Sequence, residues 1–475
     1  MRPSPEAREA SSQTTGATPW HNLYGQLIAR DRRRKFLRRR FVAISIVLVA
    51  ALVLGGGIFA LTTYWGIENG IKRSQALDGG AGLDQDVNIL LMGLDSRLDE
   101  NGNALSQEDY DALHSGSSDD GGYNSNVLML LHVPKDGSTA TIISIPRDDY
   151  VDLAGAPDGV KQGKVKQAYG YAMDEAMKKL KADSQGKSDS DIYQEARDAG
   201  RKAEIQTVQN FLNVKVDHFV EVTMAAFLSV AKAVAPITVC LQEATKDSFS
   251  GADFKAGQQQ LNAQQAVAFV RQRRDTSGTG VSLTDLDRAR RQQAFISSLA
   301  TQLKQKGTFT DLGKMQGIIG ALKDKMAVDQ SLNLIDFGLK AKQLTDNKTK
   351  FVTLPIVDFG WSDTGESVNI VDKNAIQAQV AELFSPQPST SAAPAPAQSQ
   401  APAQQAPAQQ APAQQAPKQT APAKGSGQAP ANGSGQAPAN GSGQAAPQPS
   451  PSGTGSYDAG DWSSSLFGGG IPCVK

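Results

Sequence analysis

A chain of 475 residues carries 48 basic and 48 acidic side chains, so its formal charge is zero and no bulk charge draws it toward nucleic acid. Two cysteines, Cys240 and Cys473, exclude a multi-disulfide scaffold and an all-cysteine zinc site; four histidines without HxxxH spacing argue against a histidine zinc centre. Length alone would allow about three domains. The stretch 386–456, however, is almost purely Ala, Pro, Gln, Gly, Ser and Asn and cannot bury a core, which leaves one large domain.

Residues 1–29 are polar and rich in Ser, Thr, Pro and Ala, and read as a disordered tail. Residues 30–40 (RDRRRKFLRRR) carry eight positive charges and one negative. The 25 residues that follow, 41–65, carry no charge. About 20 apolar residues span a bilayer, and a signal-peptide core is shorter. The basic cluster lies before this run, so the positive-inside rule predicts a single-pass membrane protein. Its N-terminus (1–40) is cytoplasmic, 41–65 spans the membrane, and the main domain (66–385) is extracytoplasmic. Tyr64 and Trp65 fall where an interfacial aromatic belt belongs.

Past a short connector, VNILLMGLDSR (87–97) reads as a buried strand ending in Asp95 and Arg97. The acidic stretch 99–122 fails the EF-hand pattern, with Ala104 in place of the required Gly and Tyr110 in place of the closing Glu, and reads as a solvated loop. Residues 123–133 and 139–145 form a hairpin-like pair whose second strand ends in Pro146, Arg147, Asp148 and Asp149. His132 reads as a core or edge residue. A helical region runs from Lys164 to about residue 213. Strands at 218–224 and 236–241 flank a short helix. A further helix delivers Arg271 and Arg273, and after a Gly/Ser loop another starts near Asp285 or Asp287 as cap. Helices at about 309–323 and 332–344, a strand at 350–355 and a helix at 372–384 complete the predicted domain. Alternating strands and helices predict an α/β fold: an α-β-α sandwich with a central mixed sheet covered by helices.

From 386 to 456 the chain repeats APAQQ and then GSGQAPAN, a linker with no fold of its own. It ends in an aromatic and cysteine-bearing tail (457–475), which invites docking back onto the domain. Outside the cytoplasm a Cys240–Cys473 disulfide is allowed, and two free thiols are the alternative.

Within the main domain, arginines gather in RQRRDTSGTGVSLTDLDRARRQQ (271–293). It holds Arg271, Arg273, Arg274, Arg288, Arg290 and Arg291 against Asp275, Asp285 and Asp287. Three carboxylates do not balance six guanidiniums, and guanidinium forks match phosphate oxygens. A phosphate site and a solvated basic face are the two readings of these residues alone. Arg288, Arg291 and Gln292 are spaced to share a helix face.

GLDSR (93–97), SIPRDDYV (144–151), KVKQAY (164–169) and FVRQR…DLDRARRQQ (269–293), in this order, resemble the LytR-CpsA-Psr family, closest to its actinobacterial CpsA-like members. The resemblance covers about 85–385. It implies a membrane-anchored, magnesium-dependent phosphotransferase. Such an enzyme moves a glycopolymer, here arabinogalactan-like, from a polyprenyl-pyrophosphate carrier to a sugar hydroxyl of peptidoglycan. By motif, Arg97, Arg147, Lys164, Arg271, Arg273, Arg288 and Gln292 would bind the pyrophosphate. Asp95, Arg147, Asp285, Arg271 and Arg273 would serve catalysis, with Asp95 or Asp285 as base. Asp95 would also bind magnesium. Where many members read Arg-Ser-Asp-Thr, this chain reads Asn124-Ser125-Asn126-Val127, so Asn126 would be a weak, uncharged second ligand. The competing readings are a non-catalytic polyprenyl-phosphate-binding module and a pyrophosphatase using water as acceptor. With only residues 1–40 in the cytoplasm and no helix-turn-helix pattern, direct DNA binding is not expected.

Overall fold

The computed structural model describes residues 71–385, apart from 78–79, 81, 83–84, 119, 279, 309–310, 335–336 and 338–348, and residues 456–475 apart from 459. The basic tail, the apolar run 41–65 and the linker lie outside the described residues, as does much of the helix expected at 332–344. No helix among the described residues is long and apolar enough to cross a membrane.

The first half of the domain runs β1 (Lys72–Ser74), β2 (Val87–Leu94), α1 (Gln107–Leu113), β3 (Ser125–Val133), β4 (Ala140–Ser144), β5 (Tyr150–Asp152), β6 (Gln162–Lys164), α2 (Gln167–Ala182), α3 (Asp189–Leu212), β7 (His218–Val222) and α4 (Met224–Val234). Then come β8 (Ile237–Leu241), β9 (Thr245–Asp247), β10 (Ala252–Phe254), β11 (Gly257–Leu261), α5 (Ala263–Arg271), α6 (Asp285–Gln305), α7 (Leu312–Ala321) and β12 (Met326–Asp329). The chain closes with β13 (Thr349–Thr353), β14 (Asp358–Trp361), β15 (Ser367–Ile370), α8 (Lys373–Phe384), β16 (Ser456–Asp458), β17 (Leu466–Phe467) and β18 (Ile471–Val474).

The main sheet has the order β1-β12-β7-β2-β3-β4-β13-β17 and is mixed: β2 pairs parallel with β7 and antiparallel with β3, and β4 pairs parallel with β13. Successive strand residues point to opposite faces, and β2 is apolar at nearly every position, so both faces need cover. Ile89, Met129, Leu131 and Ile142 pack on one side with Phe269 and Phe295 of α5 and α6. Leu90, Met92, Leu130 and Ile143 pack on the other with Val208 and Phe211 of α3 and Val380 of α8. The expected mixed sheet covered by helices on both faces is thus present.

Differences from the sequence reading have local causes. The stretch 99–122 is not merely solvated. It contains α1, and Glu100 is buried with Glu221, Arg197 and Arg201, the Arg197 guanidinium reaching Glu100 at 2.8 Å. Two glutamates balance two arginines there, which is how a buried charge survives. Three consecutive Gln residues leave β11 without an apolar alternation, and the exposed apolar residues of β14–β15 give no buried-strand signal.

The C-terminal segment is part of this fold. β18 lies between β8 and β16 in a second sheet, β17 extends the main sheet beside β13, and Cys473 is disulfide-bonded to Cys240, its direct partner in the register.

Candidate anion site at the carboxyl ends of the strands

β2 and β4 run in the same direction with β3 reversed between them, so the residues just after β2, at the start of β3 and just after β4 meet at one end of the sheet. Asp95, Asn126 and Arg147 hold those three places. A strand's exit in an open α/β sheet is where ligands commonly bind. The N-terminus of α6 comes to the same end. Thr284, not Asp285 or Asp287, caps that helix: its hydroxyl accepts from the Asp287 amide, and Asp287 answers back to the Thr284 amide at 2.8 Å. Asp285 is thereby left free to face the sheet, and the helix dipole adds positive potential there.

Asp285 gathers three guanidiniums: Arg288 at 2.9 Å, Arg147 at 3.2 Å and Arg273 at 3.9 Å. Arg147 also donates to the Asn126 side-chain oxygen and lies 3.5 Å from Asp148, which Lys166 holds at 2.6 Å. These groups sum to four cations against two anions, the complement of a dianion. Arg147 and Arg288 are each 8% exposed, so the excess charge is poorly screened. Burial, with repulsion from Arg147 and Arg273, pushes the Arg288 pKa down to about 10 against the pull of Asp285, so it stays charged at neutral pH but at a cost. The Nε atoms of Arg147 and Arg288 are buried without a hydrogen-bond acceptor. Buried donors of this kind normally find one. Burial lowers the Lys166 pKa, with Arg147 adding to it. Burial raises Asp148, but Arg147 and Lys166 outweigh it and hold that carboxyl below the usual range.

Arg147, Arg288, Asp285, Asn126, Gln292 and Ser144 line one cleft, and the rest of its lining, Val127 and Ala289 among it, is apolar. Gln292 donates to the Val270 carbonyl at 3.2 Å.

The other expected residues form a second cluster and an outlier. Arg97 is paired with the Asp95 carboxylate through Oδ1 and donates to the Ser115 carbonyl at 2.9 Å. Arg271 donates to the carbonyls of Leu113 and His114, where α1 ends and a cation is favoured. Burial lowers the Arg271 pKa, with Arg97 nearby adding to it. Lys164, at the end of β6, meets Glu366 at 3.5 Å, on the turn between β14 and β15.

One expectation from sequence is corrected. Arg291 does not share the cleft face with Arg288 and Gln292. It is fully buried and binds Gln272, Thr245 and the Lys475 carbonyl, the last at 2.8 Å. Arg290 and Gln293 fit neither reading of the stretch, since both are buried and neither lines the cleft. Arg290 is buried and donates to Ser464 of the C-terminal segment; Gln293 ties α6 to Ser144 and Thr353 at the ends of β4 and β13. Arg274 is half-buried, its guanidinium stacked 4.4 Å from the Phe249 ring, outside the cleft. Sequence reading missed Asp148 and Lys166, although both sit inside quoted motifs; the i, i+2 lysines of KVK were the available signal.

An α/β domain with an arginine-walled anion cleft at the strand ends is the class that fold and site define. The LytR_cpsA_psr family pattern matches residues 68–385, and the chain belongs to that family. It is 31% identical over 383 residues to "Cell wall biosynthesis protein LcpA" of Corynebacterium glutamicum, covering 80% of this chain and 68% of that one. It is 24% identical over 314 residues to a "Polyisoprenyl-teichoic acid--peptidoglycan teichoic acid transferase TagU" of Bacillus anthracis, covering 63% of this chain and 83% of that one. A solved structure, B. subtilis TagV, aligns at a TM-score of 0.44 with 19% identity, over 64% of this chain and 99% of that one.

Proposed function

We propose that this protein is a membrane-anchored transferase of cell wall assembly. It moves a glycopolymer from a polyprenyl-diphosphate carrier to a sugar hydroxyl of peptidoglycan, and the polymer is arabinogalactan-like. The observation that carries the reading is the cleft itself: Arg147, Arg273 and Arg288 around a single carboxylate, Asp285, beside an apolar wall. A lipid diphosphate needs both surfaces in one place. Its phosphates meet the guanidiniums and the first isoprenyl unit passes Val127 and Ala289, the apolar lining residues that are not fully buried.

In the transfer, the acceptor oxygen attacks the phosphorus that bears the glycan. The bond from that phosphorus to the bridging oxygen breaks, and polyprenyl phosphate leaves with the bond's electrons. Such a reaction asks the protein for positioning and charge cancellation more than for covalent help. Arg147 and Arg288 cancel charge on the transferred and leaving phosphates. The hydroxyl proton passes to a carboxylate. Asp285 lines the cleft but turns both oxygens to guanidiniums, whereas Asp95, outside that lining, engages Arg97 through Oδ1 alone and keeps the less engaged carboxylate.

Magnesium belongs to the reading as the metal that the family resemblance implies. Asp95 and Asn126 are the residues that would hold it. Both stand at the same sheet end, and one carboxylate plus one amide oxygen suit an ion that keeps waters and takes its remaining ligands from substrate phosphates. Among the described residues no group of three or more acidic, His or Cys side chains could hold a metal without substrate. When bound, the ion would neutralise charge on the diphosphate.

The test is to incubate the full-length protein with a lipid-diphosphate-linked glycan, peptidoglycan fragments and magnesium, and weigh the products. A phosphodiester-linked adduct is expected. Free glycosyl phosphate alone would make the protein a hydrolase, and unchanged substrate a binding module.

A further inference from the structure

Most large apolar side chains in the domain are covered, but the β14–β15 hairpin is an exception. Val357, Phe359 and Trp361 are 68%, 64% and 75% exposed, with Ile370 at 38%. The hairpin is tied to the domain. Asn369 donates to the fully buried Asp149 at 3.0 Å and to the Asp148 carbonyl through its amide at 2.9 Å; Glu366 meets Lys164. It therefore stands beside Arg147, at the cleft end of the sheet.

The chain's approach to the domain is at that same end. β1 runs parallel to β12, β12 antiparallel to β7, and β7 parallel to β2, which places Lys72 level with Ala327, Glu221 and Met92. The strand thus begins where β2 finishes. If 41–65 spans the membrane, residues 66–71 are all that separates it from β1, and six residues reach at most about 20 Å. The cleft end of the sheet must then face the bilayer. From β1 to β13, which leads into the hairpin, is six strand steps of about 4.8 Å, roughly 29 Å. The ends of β2, β3 and β4, and with them the arginine cleft, lie between these two points.

We propose that the β14–β15 hairpin is a membrane-contact element that seats Phe359 and Trp361 in the headgroup region of the bilayer. Together with the anchor on the other side of the sheet, it holds the arginine cleft at headgroup level, where a lipid-borne diphosphate presents its phosphates. Trp361 has an apolar body and a polar indole N–H, which favours that interface, and Phe359 adds apolar contact beside it. Asp358, Asp363 and Glu366 on the same hairpin do not attract anionic lipid, so the contact is apolar rather than electrostatic and is insensitive to salt. The inference rests on the membrane-anchored reading above but not on the transfer chemistry.

The full-length protein is reconstituted into vesicles, and the emission of Trp361 is isolated as the difference between wild type and Trp361→Phe. Trp65→Phe reports the anchor in the same way. Lipids brominated near the top of the acyl chain should quench the Trp361 component by at least about twofold, and aqueous iodide should quench it less than in detergent, at low and high salt alike. A Trp361 component that stays open to iodide and blind to brominated lipid, while Trp65 is quenched, overturns the proposal and leaves the enzyme reading intact. Protection that appears only when peptidoglycan fragments are added also overturns it, and assigns the hairpin to glycan. A Trp65 component that brominated lipid does not quench overturns the anchor on which it stands. Turnover plays no part in any of these readouts.

Discussion

Asp285 and Arg288 stand one helical turn apart on α6 in a 2.9 Å ion pair, and Arg147 meets the same carboxylate oxygen at 3.2 Å. One carboxylate thus gathers three like charges that would otherwise spread apart. Asp285→Ala is expected to lower kcat by about a hundredfold, the scale of losing one preorganised charge contact, with a smaller change in KM. Arg274→Ala, outside the cleft, is the control and should leave both unchanged. Steady-state kinetics on a lipid-diphosphate substrate checks this; equal kinetics for the two variants would assign Asp285 to folding or to nothing.

The Cys240–Cys473 disulfide closes a loop with a sequence separation of 233. A cross-link of that span restricts the unfolded chain by about 5 kcal/mol on the chain-entropy estimate. Cys473→Ser should therefore cost several kcal/mol in chemical denaturation. Halving the linker between 386 and 455 should change stability by only about 0.6 kcal/mol, because closure entropy grows slowly with length. A large effect of linker length with none from Cys473→Ser would contradict the docking of the C-terminal strand as described.

Glu204 is fully buried behind the start of β3, with its carboxylate accepting from the Tyr169 amide at 2.9 Å. Burial raises its pKa to about 8 from an ordinary 4.5, against the weaker pull of that hydrogen bond. The folded protein then holds a proton that the unfolded chain releases. This group's stabilisation is complete below 4.5 and is lost as pH rises toward 8. Glu204→Gln, which cannot ionise, should match wild type near pH 4 and exceed it by up to about 5 kcal/mol near pH 9, as read by urea midpoints across pH. Parallel curves for the two proteins would show that Glu204 does not hold that proton.

The frame was readable because burial on both faces makes a strand apolar throughout, as in VNILLMGL, and because charges collected where such strands stop. Asp95 and Arg147 came from that signal, and Asp285 from the arginine-rich stretch and the motif resemblance. What sequence could not separate were neighbours on one helix. Arg288 and Arg291 differ by three positions, yet one lines the cleft and the other is fully buried against the C-terminal segment. That partner arrives from the far end of the chain, and no local pattern announces it. The same holds for Arg290 and Ser464, and for Glu100, whose acidic surroundings resemble a solvated loop until Arg197 and Arg201 come in from α3. Phe359 and Trp361 escaped for the opposite reason: their strand turns its apolar side chains outward.

Affinity for a short-chain prenyl diphosphate bears most directly on the cleft as the diphosphate site. Calorimetric titration of wild type, Arg147→Ala, Arg288→Ala and Arg274→Ala would report it. A loss of at least about tenfold, or 1.4 kcal/mol, is expected for each cleft arginine, with no change for Arg274→Ala. Unchanged affinity in both cleft variants, with folds intact, would place the diphosphate elsewhere and contradict the assignment of the site.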